Sequence, residues 1–123
     1  MMTLLHGTTL SRARRILQFG PDPNFVEPGG VEKAEGFSTS IEHGPFPLGH
    51  PEEYARSKAM QFPQELGPAI LAVSVPDKIV LLAINDIFPL SQGVVQFDEG
   101  AGLRELQENW TTLYKEIRSG SLS

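Results

Sequence analysis

The residues able to do chemistry in this chain are few: three histidines (His6, His43 and His50), scattered serines and threonines, and carboxylates spread along its length. There is no cysteine, which excludes disulfides, thiolate nucleophiles and thiolate zinc sites. No two histidines stand at helical metal spacing, and His43 and His50 lie in a Gly/Pro-rich stretch that would have to fold around an ion. No metal site is expected. The generic catalytic signatures are missing too: there is no G-x-S-x-G, no phosphate-binding P-loop and no G-x-G-x-x-G. "EGFSTSIEHG" sets serines near His43, but adjacency in a loop is not a triad without geometry. His6 is the more informative residue. In "LLHGTTLSRARRIL" an apolar run meets a histidine, a glycine and two threonines ahead of a basic segment. Such a histidine is either packed at a strand end or placed where a ligand meets the fold.

The elements around it follow from patterning. Thr3 to His6 reads as a short strand. From Ser11 to Phe19 a helix is predicted, with Leu10, Ala13, Ile16 and Leu17 at helical spacing, Thr9 or Ser11 as N-cap and Gly20-Pro21 as the stop. Arg12, Arg14 and Arg15 fall between the apolar positions and read as its solvated face, a cluster that could still meet one small anion. Residues 21 to 35 form a loop rich in Pro, Gly and acid, "GFSTS" a short strand, and "IEHGPFPLGH" a second long loop. Pro51 opens a helix as its first residue, with Glu52 and Glu53 suited to the positive end of the dipole. Its buried stripe is Ala55, Ala59 and Phe62, and Pro63 stops it.

The later half reads as strands. "AILAVSV" (69 to 75) and "IVLLAI" (79 to 84) are the clearest, the second apolar on both faces and so central. "GVVQF" is another, after the turn "NDIFPLSQ". Leu103, Leu106, Trp110, Leu113 and Ile117 stand 3, 4, 3 and 4 apart and predict one amphipathic helix with Trp110 in the core. That order is α+β in a single domain over residues 1–123, without regular βαβ units.

A strand ending in His-Gly-Thr, followed by a helix closed by glycine, resembles the start of the ADP-ribosyltransferase superfamily. The likeness is to its histidine-containing branch, which holds the poly(ADP-ribose) polymerases, the rifampicin-modifying enzymes and the RNA 2′-phosphotransferases. Two later segments come in the family's order. "EGFSTS" resembles its second motif and is followed by a helix with an aromatic and small residues, "EEYARSKA"; "LSQGVVQFDEG" resembles its late strand. The resemblance implies a split β-sheet with flanking helices, NAD⁺ as co-substrate, and transfer of ADP-ribose to an unidentified acceptor (protein, small molecule or nucleic acid). It implies that His6 hydrogen-bonds a ribose hydroxyl and that the Gly7 backbone meets the nicotinamide carboxamide. Thr8, Ser38 and Ser40 would add hydrogen bonds, and Tyr54 and Phe37 would stack on the nicotinamide.

The chain also departs from the family. Ser38 stands where many active members have a tyrosine. The third catalytic position, commonly a glutamate in the polymerases, falls on Gln92, with Glu99 as the carboxylate that could fold back and Gln96 and Asp98 close by. The RNA 2′-phosphotransferases lack that glutamate and have a similar last strand, but they work on an RNA phosphate with basic residues. A formal charge of −5 fits that activity less well and argues against broad phosphate-backbone binding. An NAD⁺ hydrolase, a non-catalytic ADP-ribose-binding domain and a protein-interaction domain with a structural His6 stay open. No apolar run is long enough to cross a bilayer, and the start lacks the order of a signal peptide, so a cytoplasmic location is expected.

Overall fold

The structure is a computed structural model that describes residues 1–21, 37–42, 44, 50–83, 93–97 and 101–118. Strand β1 (Met2–Thr9) leads directly into helix α1 (Leu10–Phe19). Next come β2 (Phe37–Ile41), α2 (Pro51–Gln61) and β3 (Pro68–Val75). The chain continues with α3 (Asp77–Ala83), β4 (Val94–Phe97), α4 (Ala101–Glu108), a single 3-10 turn (Trp110–Thr112) and β5 (Lys115–Ile117). Among the described residues the strands form one five-stranded sheet in the order β4-β2-β1-β3-β5, and every pairing is antiparallel. The protein is therefore a small α+β domain. Its elements alternate strand and helix without carrying the parallel sheet that such alternation usually brings.

Period-2 alternation along β1 divides the core in two. Leu4 joins Phe37, Leu71, Val73, Val95 and Phe97 on one face, beneath α3, α4 and Trp110. Ile16 and Leu17 of α1 pack against that cluster. On the other face Leu5, Ile70 and Ala72 meet Ala55 of α2. Each large side chain fully buried in this way contributes about 2 kcal/mol. Both faces of β1 are covered because helices pack on each side of the sheet there.

Local signals explain several boundaries. Thr9 caps α1, its Oγ1 accepting from the Arg12 N–H at 3.3 Å. Gly20, at φ 84°, closes the same helix by donating to the Ile16 carbonyl at 2.8 Å, a left-handed stop that favours glycine. Pro51 is the first residue of α2, and His50 caps it through Nδ1, which accepts from the Glu52 N–H at 3.1 Å.

Four expectations are corrected. The run at residues 79 to 84 is not a central strand as far as Ala83, since α3 covers Asp77–Ala83; Ile84 lies outside the described residues. Pro76 starts it, its carbonyl accepting from Ile79 and Val80 N–H, and the helix buries Ile79, Val80 and Ala83 while leaving Leu81 and Leu82 exposed. An apolar run of that length suits either periodicity, and the open side here is solvent, not a second sheet face. The last segment is not one helix either. It ends at Glu108, where the Asn109 side chain donates to the Glu105 carbonyl, and Leu113 is already extended at ψ 145°. Leu113 and Ile117 pack on the core from extended chain, and β5 pairs with β3. The stripe of α2 is Pro51, Ala55 and Lys58, with Ala59 and Phe62 half-buried. Finally, β1 runs on to Thr9, so His6 lies inside a strand.

A polar latch fixes the junction of β1 and α1. Glu65 Oε1 accepts from Thr9 Oγ1 and from Arg12 Nε, each at 2.8 Å, and the Arg12 guanidinium lies 4.2 Å from the centre of the Phe62 ring. The Arg12 hydrogen bond, with smaller help from Thr9, holds the Glu65 carboxyl below its ordinary value against the opposing effect of burial. A carboxylate lowered in the folded state stabilises above the unfolded value, and that contribution is lost as pH falls through the lowered one. Glu65→Gln is expected to cost about 1 kcal/mol at neutral pH. The gap from wild type should close on acidification, as read by urea melts across the carboxylate range. A pH-independent gap would mean that the ionised form of Glu65 is not what the latch uses.

Candidate functional site

The sheet forks at His6. β1 pairs with β3 along its whole length, from Met2↔Val75 to Thr9↔Pro68. Its ladder with β2 holds Leu4↔Ile41 and Leu5↔Ser40 alone. β2, for its part, stays with β4 through Phe37↔Phe97, Ser38↔Gln96 and Thr39↔Val95. The two halves of the sheet thus separate immediately after Leu5.

The His6 side chain spans the opening. Its Nδ1 lies 2.7 Å from the Ser38 carbonyl oxygen. A carbonyl only accepts, so Nδ1 carries the proton of this bond. The ring also packs on Phe37, with centroids 4.5 Å apart and planes tilted by 37°. Phe37 in turn meets Phe97 at 6.3 Å and Trp110 edge-on at 6.4 Å. A file of rings therefore backs His6 from the core. Trp110 anchors that file by donating from Nε1 to the Leu17 carbonyl at 3.0 Å.

No family model, no curated protein and no solved structure matches the chain.

The structure brings together some of the residues singled out in the sequence and separates others. His6, Phe37 and Ser38 meet at the fork. Phe37 is buried, its ring taken up by the core behind His6, and Thr8 is fully buried. Gly7 faces α2: a Cβ there would stand 2.1 Å from the Pro51 carbonyl oxygen and 3.1 Å from the Ala55 nitrogen. Its missing side chain thus admits the first turn of that helix. Ser40 is buried on the Leu5 side of the sheet, while Ser38 is exposed. Tyr54 is half-buried on α2, which covers the face opposite the one His6 occupies. Gln92 and Glu99, together with His43 and Asp98, lie outside the described residues.

Two features of this region had no usable signal in the sequence. Gln96 is buried in β4 in register with Ser38, and only the β2–β4 pairing shows it. Glu42, just past β2, pairs with Arg118, just past β5; Arg118 also bonds Glu116 at 2.7 Å and donates its N–H to the Ile70 carbonyl. Glu42 foremost, then Glu116, holds the Arg118 guanidinium above its ordinary value, and Arg118 draws the Glu116 carboxyl down. Residues 76 positions apart cannot announce such a pair in a linear reading. Among the described residues, no group of three or more His, Asp or Glu is placed to hold a metal ion, and no helix is long and apolar enough to cross a membrane.

Proposed function

We propose that this protein transfers ADP-ribose from NAD⁺ to an acceptor at the fork between β1 and β2, in an ADP-ribosyltransferase-like split sheet. The placement of His6 carries the reading. It stands at the residue where one ladder ends, with its ring oriented by Ser38 and supported by Phe37. In the reaction the bond between ribose C1′ and the nicotinamide nitrogen breaks, and its electron pair leaves with nicotinamide. The acceptor's nucleophile bonds to C1′ and sheds a proton. With Nδ1–H given to the Ser38 carbonyl, the His6 ring is held in one orientation, and a hydrogen bond between that ring and a ribose hydroxyl would fix the sugar's pose.

Of the residues named for the co-substrate, His6 keeps exposed surface at the fork and suits a ribose, while Ser38 is exposed and Tyr54 is half-buried on the helix that covers the opposite face. Phe37 supports His6 from behind. Gln92 and Glu99 remain the proposed third position.

A second reading has its own observation. A histidine that ties two separating strands together, with Thr8 and Phe37 buried beside it, also suits a purely structural role in a protein-interaction domain.

Titration calorimetry with NAD⁺, nicotinamide and ADP-ribose separates the two, with His6→Ala measured in parallel. The proposal expects wild-type binding of at least one ligand and about tenfold weaker binding by the variant, the size of one lost hydrogen bond. The variant should melt within a few degrees of wild type. No wild-type binding, or equal affinity in the variant, overturns it and leaves His6 structural. Nicotinamide release without added acceptor would mark a hydrolase, and binding without release a non-catalytic domain.

A further inference from the structure

We infer that the exposed face of α1, together with Leu66 beside its first turn, is a docking surface for an acidic segment of a partner protein that carries apolar residues on both sides of its carboxylates. The inference is independent of the reading of the fork.

Helix α1, LSRARRILQF, has three arginines and no acidic residue, in a chain whose formal charge is −5. Arg12 is accounted for by Glu65 and Phe62. Arg14 and Arg15 are exposed, and among the described residues neither has a carboxylate partner. At 100° per residue they share one side of the helix with Ser11, Gln18 and Phe19, opposite the buried Ala13. Phe19 is 73% exposed. Arg15 stands one turn before this bare aromatic residue, and Arg14 stands on the same exposed side of the helix.

Leu66 supplies the second apolar end. The Ser11 N–H donates to the Glu65 carbonyl at 3.2 Å and the Leu10 N–H to the Gly67 carbonyl at 2.9 Å, so residues 65–67 run along the first turn of α1. Leu66 has φ 70°, in the left-handed region that disfavours a side chain, and it is 61% exposed. Glycine would occupy that position without strain. A strained backbone that presents an apolar side chain to water points to use at the surface.

The surface therefore reads apolar, cationic, apolar. Arginine and aromatic residues dominate the energetic centres of protein interfaces, and the planar guanidinium matches a carboxylate in two-point fashion. Two arginines on an acidic protein make too few phosphate contacts for a nucleic acid. An acidic protein segment is the better complement.

The test is selection from a random-peptide display library on the wild-type protein, then fluorescence anisotropy with the recovered peptides. Peptides with carboxylates between apolar residues are expected, with affinity falling as salt rises. R14E/R15E should weaken them about tenfold or more, and R14Q/R15Q should do so without charge inversion. F19S and L66G should each weaken them about fivefold, while all four variants melt close to or above wild type. The proposal is overturned if no recovered peptide depends on Arg14 and Arg15, or if those that do lack carboxylates. It is also overturned if oligothymidylate displaces the peptides with the same arginine dependence, which would assign the face to nucleic acid.

Discussion

Gly7→Ala should destabilise the protein by about 3 kcal/mol, lowering its melting temperature by about 10 °C. The new methyl would stand 2.1 Å from the Pro51 carbonyl oxygen, and that oxygen belongs to helix backbone that cannot rotate aside. Relief requires α2 to lift from β1, which opens the contact of Ala55 with Leu5, Ile70 and Ala72. Gly67→Ala is the informative control. Nothing lies within 4 Å of a Cβ at Gly67, but its φ is 90°. Its cost is conformational alone and should be about 1 kcal/mol. Thermal melts of the two variants side by side check the argument. Equal losses would show that α2 accommodates the methyl, so that its close approach is not what requires glycine at position 7. The result bears on function as well. The resemblance to ADP-ribosyltransferases implies that Gly7 brings backbone close to a ligand, whereas the structure gives its open side to a helix.

Trp110→Ala should cost about 4 kcal/mol. The indole is 3% exposed. It meets Phe37 edge-on and bonds the Leu17 carbonyl. A Cβ on Gly20 would be 3.4 Å from its ring, and the Lys115 ammonium lies 5.2 Å from the ring centre. Lys115 donates to the Trp110 and Leu113 carbonyls, and its own burial lowers its tendency to stay protonated. Trp110→Phe keeps most of the area and loses the Leu17 bond, so it should cost about 1.5 kcal/mol. Urea unfolding followed by far-UV circular dichroism measures both, since this is the only tryptophan and fluorescence disappears with it. A loss below 2 kcal/mol in the alanine variant would mean that the aromatic file behind His6 closes over the gap.

These two substitutions press on His6 from opposite sides. Gly7 follows it in the chain and faces α2; Trp110 reaches it through Phe37. A ring held in that way keeps one orientation, which is the precondition for any role in positioning a sugar. Orientation alone is compatible with a structural role too. Ligand titration of His6→Ala therefore carries more weight than any stability measurement.

Much of the scaffold was legible in the residues themselves. Thr9, Gly20 and Pro51 mark helix ends because capping, a left-handed stop and a first-turn proline are local events. The strands β3 and β4 and the burial of Trp110 were readable from short apolar runs and helical spacing for the same reason. The tertiary structure decided what local signals leave degenerate. "IVLLA" fits a strand or a helix, and Pro76 together with the solvent at Leu81 and Leu82 selects the helix. Leu113 and Ile117 continue a helical spacing, but β3 is paired by β5, and backbone hydrogen bonds along it outweigh one more helical turn. Histidine, glycine and threonine in succession announce a special place without saying which neighbour each will meet. The arrest of the β1–β2 ladder at Leu5 turns His6 toward Ser38, the approach of α2 claims Gly7, and the core claims Thr8 and Phe37, because those contacts join residues far apart in the chain.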